Sequence, residues 1–311
     1  MIPHEPQRRP QMGFLYLPPY RVQGLSVAGE ETVVQVPELD VCFDIGLCPR
    51  PALSANHVAL SHGHMDHAAA LTYYLSQRHF QGMGTGTVLC HPEMEAPIRG
   101  LMDAWVSVEN QKTPYNLVPM EAEAEYKIKN DHYLRAFKTS HTVPSLGFVV
   151  VERRSKLKPE YNGLPQAKLV ELKQKGEEIT RTLEIPLVAY LGDTAWGEHF
   201  ERPDVLQSKI LITECTFLER DDHARAKVGK HLHLNNIVEL LKVAASPYVV
   251  LTHLSRRTNM GAARKVIDQA IPEQDRERLF VLMDHRSNRR RYEEQQAAVA
   301  ADTTEGSGEA S

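Results

Sequence analysis

The sequence predicts a mixed α/β fold with sizeable β-sheets, because apolar runs of strand length alternate with helical patterns along the chain. Short apolar runs bounded by turn residues indicate strands. These runs lie at residues 32–36, 41–46, 58–60, 87–90, 134–137, 147–151, 187–192, 209–213, 248–252 and 279–283. Since the runs recur from residue 32 to residue 283, we expect the sheets to form the body of the domain.

Two segments between these runs have the periodicity of an amphipathic helix. One helix face in the first segment carries the apolar residues Ile98, Leu101, Met102, Trp105 and Val106. Their spacing of three and four residues predicts that this face belongs to the core. Residues 237–244 repeat the pattern, and residues 266–270 repeat it more weakly.

The composition narrows the class of protein. Of the 311 residues 42% are apolar, which suffices for a full core. No run approaches the length of a membrane span, and the first twenty residues lack the apolar core of a signal peptide. The four cysteines form no C-x-x-C pair, which argues against a disulfide framework and a thiolate zinc site. We expect a cytoplasmic protein that does not associate with membranes.

Charge is distributed unevenly along the chain. The formal net charge is −4, so a basic coat for non-specific nucleic-acid binding is not expected. Two local basic clusters remain, one within residues 152–181 and one formed by Arg286, Arg289, Arg290 and Arg291. A solvated face is the simpler interpretation of either cluster.

Three segments differ from the central pattern. Residues 1–21 are interpreted as an N-terminal extension, and residues 289–311 as a disordered tail that ends in small polar residues. Residues 22–288 are then the domain. Within it, residues 153–186 mix charge, proline and glycine and are interpreted as an inserted basic arm.

The segment VALSHGHMDHAAAL, residues 58–71, predicts a metal site. Three imidazoles and a carboxylate, His62, His64, Asp66 and His67, follow a strand signal and precede a helix signal. Residues two apart in an extended turn point the same way, so His62 and His64 can bind one metal ion. Asp66 and His67 enter the helix and can bind a second ion. Zinc suits these ligands, and manganese or iron are alternatives.

This H-x-H-x-D-H pattern resembles the hallmark of the metallo-β-lactamase superfamily. The resemblance implies an αββα sandwich, in which two packed mixed β-sheets are flanked by helices. It also implies three further ligands, His141, Asp193 and His253, each of which follows an apolar run. By this resemblance one zinc ion is held by His62, His64 and His141 and the other by Asp66, His67 and His253, with Asp193 bridging the two ions.

More local motifs resemble ribonuclease Z, the endonuclease that removes the 3′ trailer of precursor tRNA, in its compact plant-like short form. The motifs are FDIGLCP (43–49), SHGHMDH (61–67), AFKTSHTVPSLGFVV (136–150), LGDT (191–194), ECTFLERD (214–221), HLH (231–233) and LTHLSRR (251–257). The resemblance extends from about Val22 to Asp284. It implies that two metal ions generate a hydroxide that attacks the scissile phosphate.

The resemblance also assigns roles to individual residues. Asp66, His231 and Glu214 are the catalytic candidates, with His231 as the general acid and Glu214 orienting it. His233 is the alternative acid. Asp44, on the FDIG segment, is a candidate to support a metal-bound histidine.

Substrate binding is expected at two places. Ser255, Arg256 and Arg257 follow ligand His253 and suit phosphate contacts, although helix capping by Ser255 and solvated arginines are an equally good interpretation. The arm, with Lys168, Lys173 and Lys175, is by resemblance a clamp for the tRNA elbow. In this family the arm of one subunit serves the site of another, so a homodimer is expected.

Two other functions remain open on the sequence. The same scaffold hydrolyses small phosphodiesters or cyclic nucleotides in other proteins, since a fold does not specify a substrate. A catalytically inactive RNA-binding homologue that keeps zinc for structure is the third interpretation.

Overall fold

A computed structural model describes residues 11–306 and confirms the predicted fold class. The strands are β1 Gly13–Leu17, β2 Tyr20–Ala28, β3 Glu31–Val36, β4 Val41–Phe43, β5 His57–Ala59, β6 Gly86–Cys90, β7 Tyr115–Pro119, β8 Glu125–Lys129, β9 His132–Lys138, β10 Leu146–Leu157, β11 Thr180–Tyr190, β12 Ile210–Glu214, β13 Tyr248–Thr252, β14 Leu254–Ser255 and β15 Leu279–Val281. The helices are α1 Met65–Ala68, α2 Leu71–Phe80, α3 Glu95–Glu109, α4 Gln166–Gln174, α5 Pro203–Leu206, α6 His223–Gly229, α7 Leu234–Val243, α8 Met260–Ala270, α9 Glu273–Arg276 and α10 His285–Gly306.

The strands form two mixed sheets. The first has the order β1-β2-β3-β4-β5-β6-β7, with β14 pairing with β2, and the second has the order β15-β13-β12-β11-β10-β9-β8. In the second sheet β11, β12, β13 and β15 are mutually parallel. In the first sheet the run from β4 to β7 is parallel.

Successive side chains of each strand point to opposite faces of its sheet, so the two sheets pack on each other and each also packs on helices outside. Val34 and Val150 face the core between the two sheets, whereas their neighbours Val33 and Val149 belong to outer cores. The outer core of the first sheet includes residues of α2 and α3, and that of the second includes residues of α7 and α8. The architecture is therefore the αββα sandwich that the resemblance implied.

Parallel strands explain why distant residues meet. The C-terminal ends of β11, β12 and β13 lie at one edge of the second sheet, and Asp193, Glu214 and His253 occupy or follow these ends. The carboxyl ends of parallel strands are a common place for functional sites. In the first sheet Asp44 and His62 follow β4 and β5 in the same way.

The predicted arm is an extension of the second sheet. β10 and β11 pair antiparallel out to Leu157 and Thr180, so both flanks of the predicted insertion continue these strands. Its tip carries α4, which has no buried residue. The lysines of the arm consequently lie on or directly after a helix at the end of a two-stranded ribbon and not on a loop.

Both ends of the chain depart from the sequence interpretation. β1 pairs with β2 along its whole length, so residues 13–21 belong to the first sheet and are not an extension; residues 1–10 lie outside the described residues. The predicted disordered tail is wrong for residues 289–306, because α10 continues to Gly306. The predicted disorder of residues 307–311 falls outside the described residues.

Contacts with the domain explain the helical tail. The Tyr292 ring packs on Phe14 at 5.2 Å between centroids, and the Arg291 guanidinium lies 4.1 Å from the Phe280 ring centroid. An i,i+4 ion pair between Arg289 and Glu293 adds to the helix. Packing on β1 therefore stabilises a segment whose composition alone indicates disorder.

The predicted core face of α3 is only partly correct. Ile98 and Met102 are buried, but Leu101 and Trp105 are 48% and 39% exposed. No helix among residues 11–306 has the length and apolar character needed to cross a membrane.

Candidate metal centre

The turn after β5 places four predicted ligands in one short segment. The backbone remains extended through His64, at φ −66° and ψ 150°, before α1 begins at Met65. His62 and His64 consequently join one group of candidate ligands, and Asp66 and His67 join another. These two groups match the division expected from the sequence, and a third group joins His62 with His67 and Asp193.

A close approach at Gly46 holds this turn against the first sheet. A Cβ atom at Gly46 would lie 1.8 Å from the Asp66 carbonyl oxygen, which leaves no room for a side chain. The neighbouring Ile45 N–H donates to the His67 carbonyl oxygen at 2.7 Å. The loop after β4 thereby positions α1 and its two candidate ligands.

The first group of candidate ligands consists of His62, His64 and His141. The Nδ1 atom of His64 lies 3.0 Å from Nε2 of His62 and 3.2 Å from Nε2 of His141. Two ligands of a tetrahedral zinc ion lie about 3.3 Å apart when each bond is about 2.0–2.1 Å long. The three nitrogens thus have the separation of zinc ligands.

The second group consists of Asp66, His67 and His253. Nε2 of His253 lies 3.2 Å from Nε2 of His67 and 3.3 Å from Oδ2 of Asp66. The Gly29 N–H donates to the same Asp66 oxygen at 2.8 Å, which fixes the carboxylate. His253 itself has φ 57°, an uncommon conformation for this residue that is typical of functional positions.

Asp193 lies between the two groups. Its Oδ2 atom is 3.3 Å from Nε2 of His67, 3.4 Å from Nε2 of His253 and 3.9 Å from Nε2 of His62. One carboxylate oxygen therefore faces both groups, as a bridging ligand does. All seven residues predicted as metal ligands converge on this centre.

Asp44 supports two of the histidines. The buried carboxylate accepts hydrogen bonds from His67 Nδ1 and the Ser61 hydroxyl, both at 2.8 Å, and from the Tyr190 hydroxyl at 2.6 Å. Since the Ser61 hydroxyl donates to Asp44, it accepts from His62 Nδ1 at 3.0 Å. Both imidazoles then direct Nε2 towards the centre, as expected for supported metal ligands.

The outer contacts of His141 and His253 assign their tautomers in the same way. His141 Nδ1 donates to the Lys230 carbonyl oxygen at 3.2 Å. The Thr216 hydroxyl donates to Glu214 at 2.5 Å and so accepts from His253 Nδ1 at 3.1 Å. The Nε2 lone pairs of both histidines therefore point inwards.

Electrostatics favours a cation at this centre. Burial and the charge of His67 lower the pKa of His62 to about 2, so this imidazole is neutral. Burial raises the pKa of the Asp193 carboxyl, but His253 and His67 outweigh it and hold the pKa well below its usual range. Burial lowers the pKa of His67, yet Asp193 and Asp44 raise it overall, and a bound cation would displace the resulting proton. Among the described residues no Lys or Arg forms an ion pair with Asp193, Asp66 or Asp44, so these buried carboxylates lack a cationic side chain as partner. Imidazole nitrogens and carboxylate oxygens are ligands that suit divalent metal ions.

Replacing Asp44 with asparagine should weaken metal binding without removing a ligand. The neutral amide no longer stabilises the imidazole of His67, and supporting residues of this kind contribute about 10–100-fold to metal affinity. Competition with a zinc-binding dye would measure the affinity of the Asp44→Asn variant. Exposed Asp103, changed in the same way, is the matched control, and an unchanged zinc affinity of Asp44→Asn would contradict the supporting role.

Glu214 is buried and orients His231. Its Oε1 atom accepts from Nδ1 of His231 at 2.9 Å and from the Thr194 N–H at 2.8 Å. Its Oε2 atom accepts from Thr216 and from the Leu232 N–H. The outer nitrogen of His231 is thereby a donor to Glu214, which leaves Nε2 for substrate. Burial lowers the pKa of His231, but the hydrogen bond and charge of Glu214 raise it to about 9, so the imidazole is an acid at neutral pH.

His233, the alternative acid, has a structural role instead. Its Nδ1 accepts from the Asn235 N–H as the N-cap of α7, and its Nε2 donates to the Glu219 carbonyl oxygen at 2.9 Å. Both ring nitrogens are consequently occupied, and the residue is 3% exposed.

A cleft of about 360 Å³ opens beside His231. Ser255, Arg256 and Arg257, predicted to contact substrate, line this cleft together with His231. Arg256 also pairs with Glu30 at 3.1 Å. Ser255 does not cap α8, since Asn259 does so by accepting from the Ala262 N–H.

The three arm lysines lie elsewhere. Lys168 and Lys173 are on α4 and Lys175 directly follows it, at the tip of the arm. Lys168 and Lys175 both pair with Glu171, at 2.8 and 2.6 Å. None of the three lines the cleft beside His231.

Two contributors were missed by sequence reasoning. Thr216 connects His253 to Glu214, and its position two residues after Glu214 in an extended segment could have suggested it. Lys230 contacts His141 through both its carbonyl oxygen and its ammonium group. Its left-handed conformation, φ 52°, places these groups, and no sequence pattern signals that.

Comparison with known proteins identifies the family. Residues 47–254 match the model of the beta-lactamase superfamily domain. The chain is 34% identical over 254 residues to the chloroplastic tRNase Z TRZ2 of Arabidopsis thaliana, covering 80% of this chain and 71% of that protein. It is 33% identical over 268 residues to tRNase Z TRZ1 of the same plant, covering 85% and 95% of the two chains. The chain belongs to the tRNase Z family of the beta-lactamase superfamily.

A solved structure shows the same metallo-beta-lactamase fold. The metallo-beta-lactamase fold protein YhfI from Bacillus subtilis superposes with a TM-score of 0.55 at 16% identity, covering 87% of this chain and 95% of that one. At this identity the likeness concerns the fold alone.

Proposed function

We propose that this protein is a zinc-dependent endoribonuclease that removes the 3′ trailer of precursor tRNA. The observation that carries the proposal is the convergence of seven metal-ligand side chains beside His231 and Glu214 in a member of the tRNase Z family. A purely structural metal site would not need an oriented proton donor next to it.

The proposed metal ions would supply the nucleophile. Two zinc ions per subunit, with manganese or iron as alternatives, would supply Lewis acidity and a hydroxide nucleophile near neutral pH. The ligand set comprises His62, His64, Asp66, His67, His141, Asp193 and His253. Asp66 is held by Gly29 within this set.

His231 is the proposed proton donor. Glu214 keeps the Nδ1 hydrogen on the outer side, so Nε2 can protonate the departing 3′ oxygen of the tRNA. Arg256 and Arg257, at the cleft beside His231, can hold phosphate oxygens of the substrate.

One assay separates this function from its alternatives. Zinc-loaded protein is incubated with precursor tRNA that carries a 3′ trailer and, separately, with bis-p-nitrophenyl phosphate. Cleavage of both is expected. Cleavage of the small diester alone would favour a small-phosphodiester hydrolase, and turnover of neither would favour an inactive RNA-binding homologue.

Neutralising the arm should weaken tRNA binding and spare the small substrate. The variant replaces Lys168, Lys173 and Lys175 with alanine, which removes backbone-phosphate contacts that carry no sequence information. We expect KM for precursor tRNA to rise by about 10–100-fold at physiological salt. Turnover of bis-p-nitrophenyl phosphate is the internal control, and an equal loss on both substrates would count against the clamp.

The arm is proposed to act in a homodimer, on the site of the other subunit. Large apolar side chains exposed on α2 and α3 support a second copy as partner, namely Tyr73, Phe80, Leu101, Trp105 and Val108. Mixing the arm variant with an Asp193→Asn variant tests this directly. Activity of the mixture above the sum of the two variants is expected, and simple additivity would refute action between subunits.

A further inference from the structure

A large cleft separate from the metal centre lies between α8 and α10. It has a volume of about 880 Å³, within the range of small-ligand sites. It is formed by α8 and the start of α10, with Phe280 and Met283 on the segment between them. The C-terminal helix that the sequence did not predict is therefore one wall of this cleft.

The cleft is strongly basic although the whole chain carries a net charge of −4. Three acidic residues, Asp268, Asp284 and Glu294, line it. The basic residues that line it are Arg264, Lys265, Arg276, Arg286, Arg290 and Arg291. Such a local excess attracts an anion of complementary charge.

Several of these cations have no carboxylate partner in the described part of the chain. Arg264 pairs with Asp284 and Arg290 with Glu294, but no ion pair involves Lys265 or Arg286, both of which are exposed. Burial and the charge of Arg264 lower the pKa of Arg291. The crowding of positive charge is thus not neutralised within the fold.

An intermediate cavity lies between the basic cleft and the cleft beside His231 and shares lining residues with both. Met260 and Met283 line both the basic cleft and the intermediate cavity of about 400 Å³. Ser255 and Arg256 line both that cavity and the cleft that contains His231. These three adjacent cavities, together called the groove, form a row from the proposed proton donor to the arginines of α10.

We propose that this groove binds the single-stranded RNA on the 3′ side of the scissile phosphate, that is, the trailer, with its phosphates in the basic cleft between α8 and α10. The inference rests on the proposed function. Basic side chains alongside the partly exposed side chains of Met260 and Met283 suit a single strand, because its phosphates need positive charge and its bases need apolar contact. The cleft has the size of a small-ligand site, so a few nucleotides fit and a duplex does not.

The test compares two precursor tRNAs that differ only in trailer length. One has a trailer of a single nucleotide and the other a trailer of about ten nucleotides, enough to occupy a groove of this kind. The variant is Lys265→Ala combined with Arg286→Ala, and the matched control is Arg289→Ala. Arg289 is exposed on the same helix but does not line the cleft.

For the long trailer, KM of the double variant should rise by about tenfold. The slope of the logarithm of the binding constant against the logarithm of the salt concentration should become less steep by about two units. The short-trailer substrate and the Arg289→Ala control should match the wild type. An equal rise for both substrates would show that the cleft holds the tRNA body, and no rise for either would show that it binds no substrate RNA. Both results overturn the proposal.

A direct binding measurement separates this inference from the proposed function. A fluorescently labelled trailer oligonucleotide with a 5′ phosphate is titrated with zinc-loaded wild type, double variant and control. If the wild type cleaves no precursor tRNA, the proposed function fails. The groove is then supported by oligonucleotide binding that only the double variant loses, and it is refuted if the three proteins bind alike or not at all.

Discussion

Asp193→Ala is expected to abolish cleavage of precursor tRNA and of bis-p-nitrophenyl phosphate together. Its Oδ2 atom lies within 3.3–3.9 Å of His67, His253 and His62, so its loss should affect both groups of ligands. Metal ions contribute several kcal/mol to transition-state stabilisation, so the rate should fall by at least about 10³-fold. Single-turnover cleavage and the zinc content per subunit, by mass spectrometry, measure both effects.

The zinc content distinguishes this loss from unfolding. The variant should retain fewer than two zinc ions while its circular dichroism spectrum matches the wild type. Asp103→Ala, at an exposed position of α3, should leave rate and zinc unchanged. An Asp193→Ala protein with two bound ions and wild-type turnover would refute the bridging role and with it the proposed centre.

His231→Ala should slow cleavage of precursor tRNA by about 10²–10⁴-fold, the usual contribution of a general acid. The 3′ oxygen of a ribose is a poor leaving group without a proton. The p-nitrophenolate group leaves readily as an anion, so the loss on bis-p-nitrophenyl phosphate should be much smaller. The ratio of the two losses reports proton donation separately from metal binding.

Two control variants accompany this measurement. His233→Asn keeps a side chain that can cap α7, and it should retain activity because His233 has both ring nitrogens occupied. Replacing the exposed His79 with alanine should leave the cleavage rates on both substrates unchanged. Equal losses of His231→Ala on both substrates would show that His231 supports the metal centre and does not donate a proton.

The candidate ligands were largely predictable because their spacing is local. His62, His64, Asp66 and His67 fall within six residues, and a turn from strand to helix divides them into two groups whatever the rest of the fold. His141, Asp193 and His253 were placed by resemblance. The convergence of Asp193 and His253 depends on the parallel order of β11, β12 and β13, and that of His141 on the antiparallel pairing of β9 with β10. No local pattern encodes this strand order.

Elsewhere local patterns were misleading. Leu101 and Trp105 lie on an apolar helix stripe, yet only Ile98 and Met102 reach the core, because a sheet can cover only part of a wide stripe. The segment after Arg289 is polar and ends in small residues, which indicates disorder. Contacts of Tyr292 with Phe14 and of Arg291 with Phe280 instead stabilise it as part of α10. Tertiary packing outweighed composition in the tail.

Residue identity and spacing along the chain were enough to establish the fold class, the family and the chemical type of the centre. The exclusion of His233 as the acid, the hydrogen bond of Asp44 to His67 and the groove beside α10 depended on three-dimensional contacts. The physical reason is that a ligand motif is a property of neighbouring residues. A tautomer or a cleft instead depends on which distant atoms the folded chain brings within hydrogen-bonding distance.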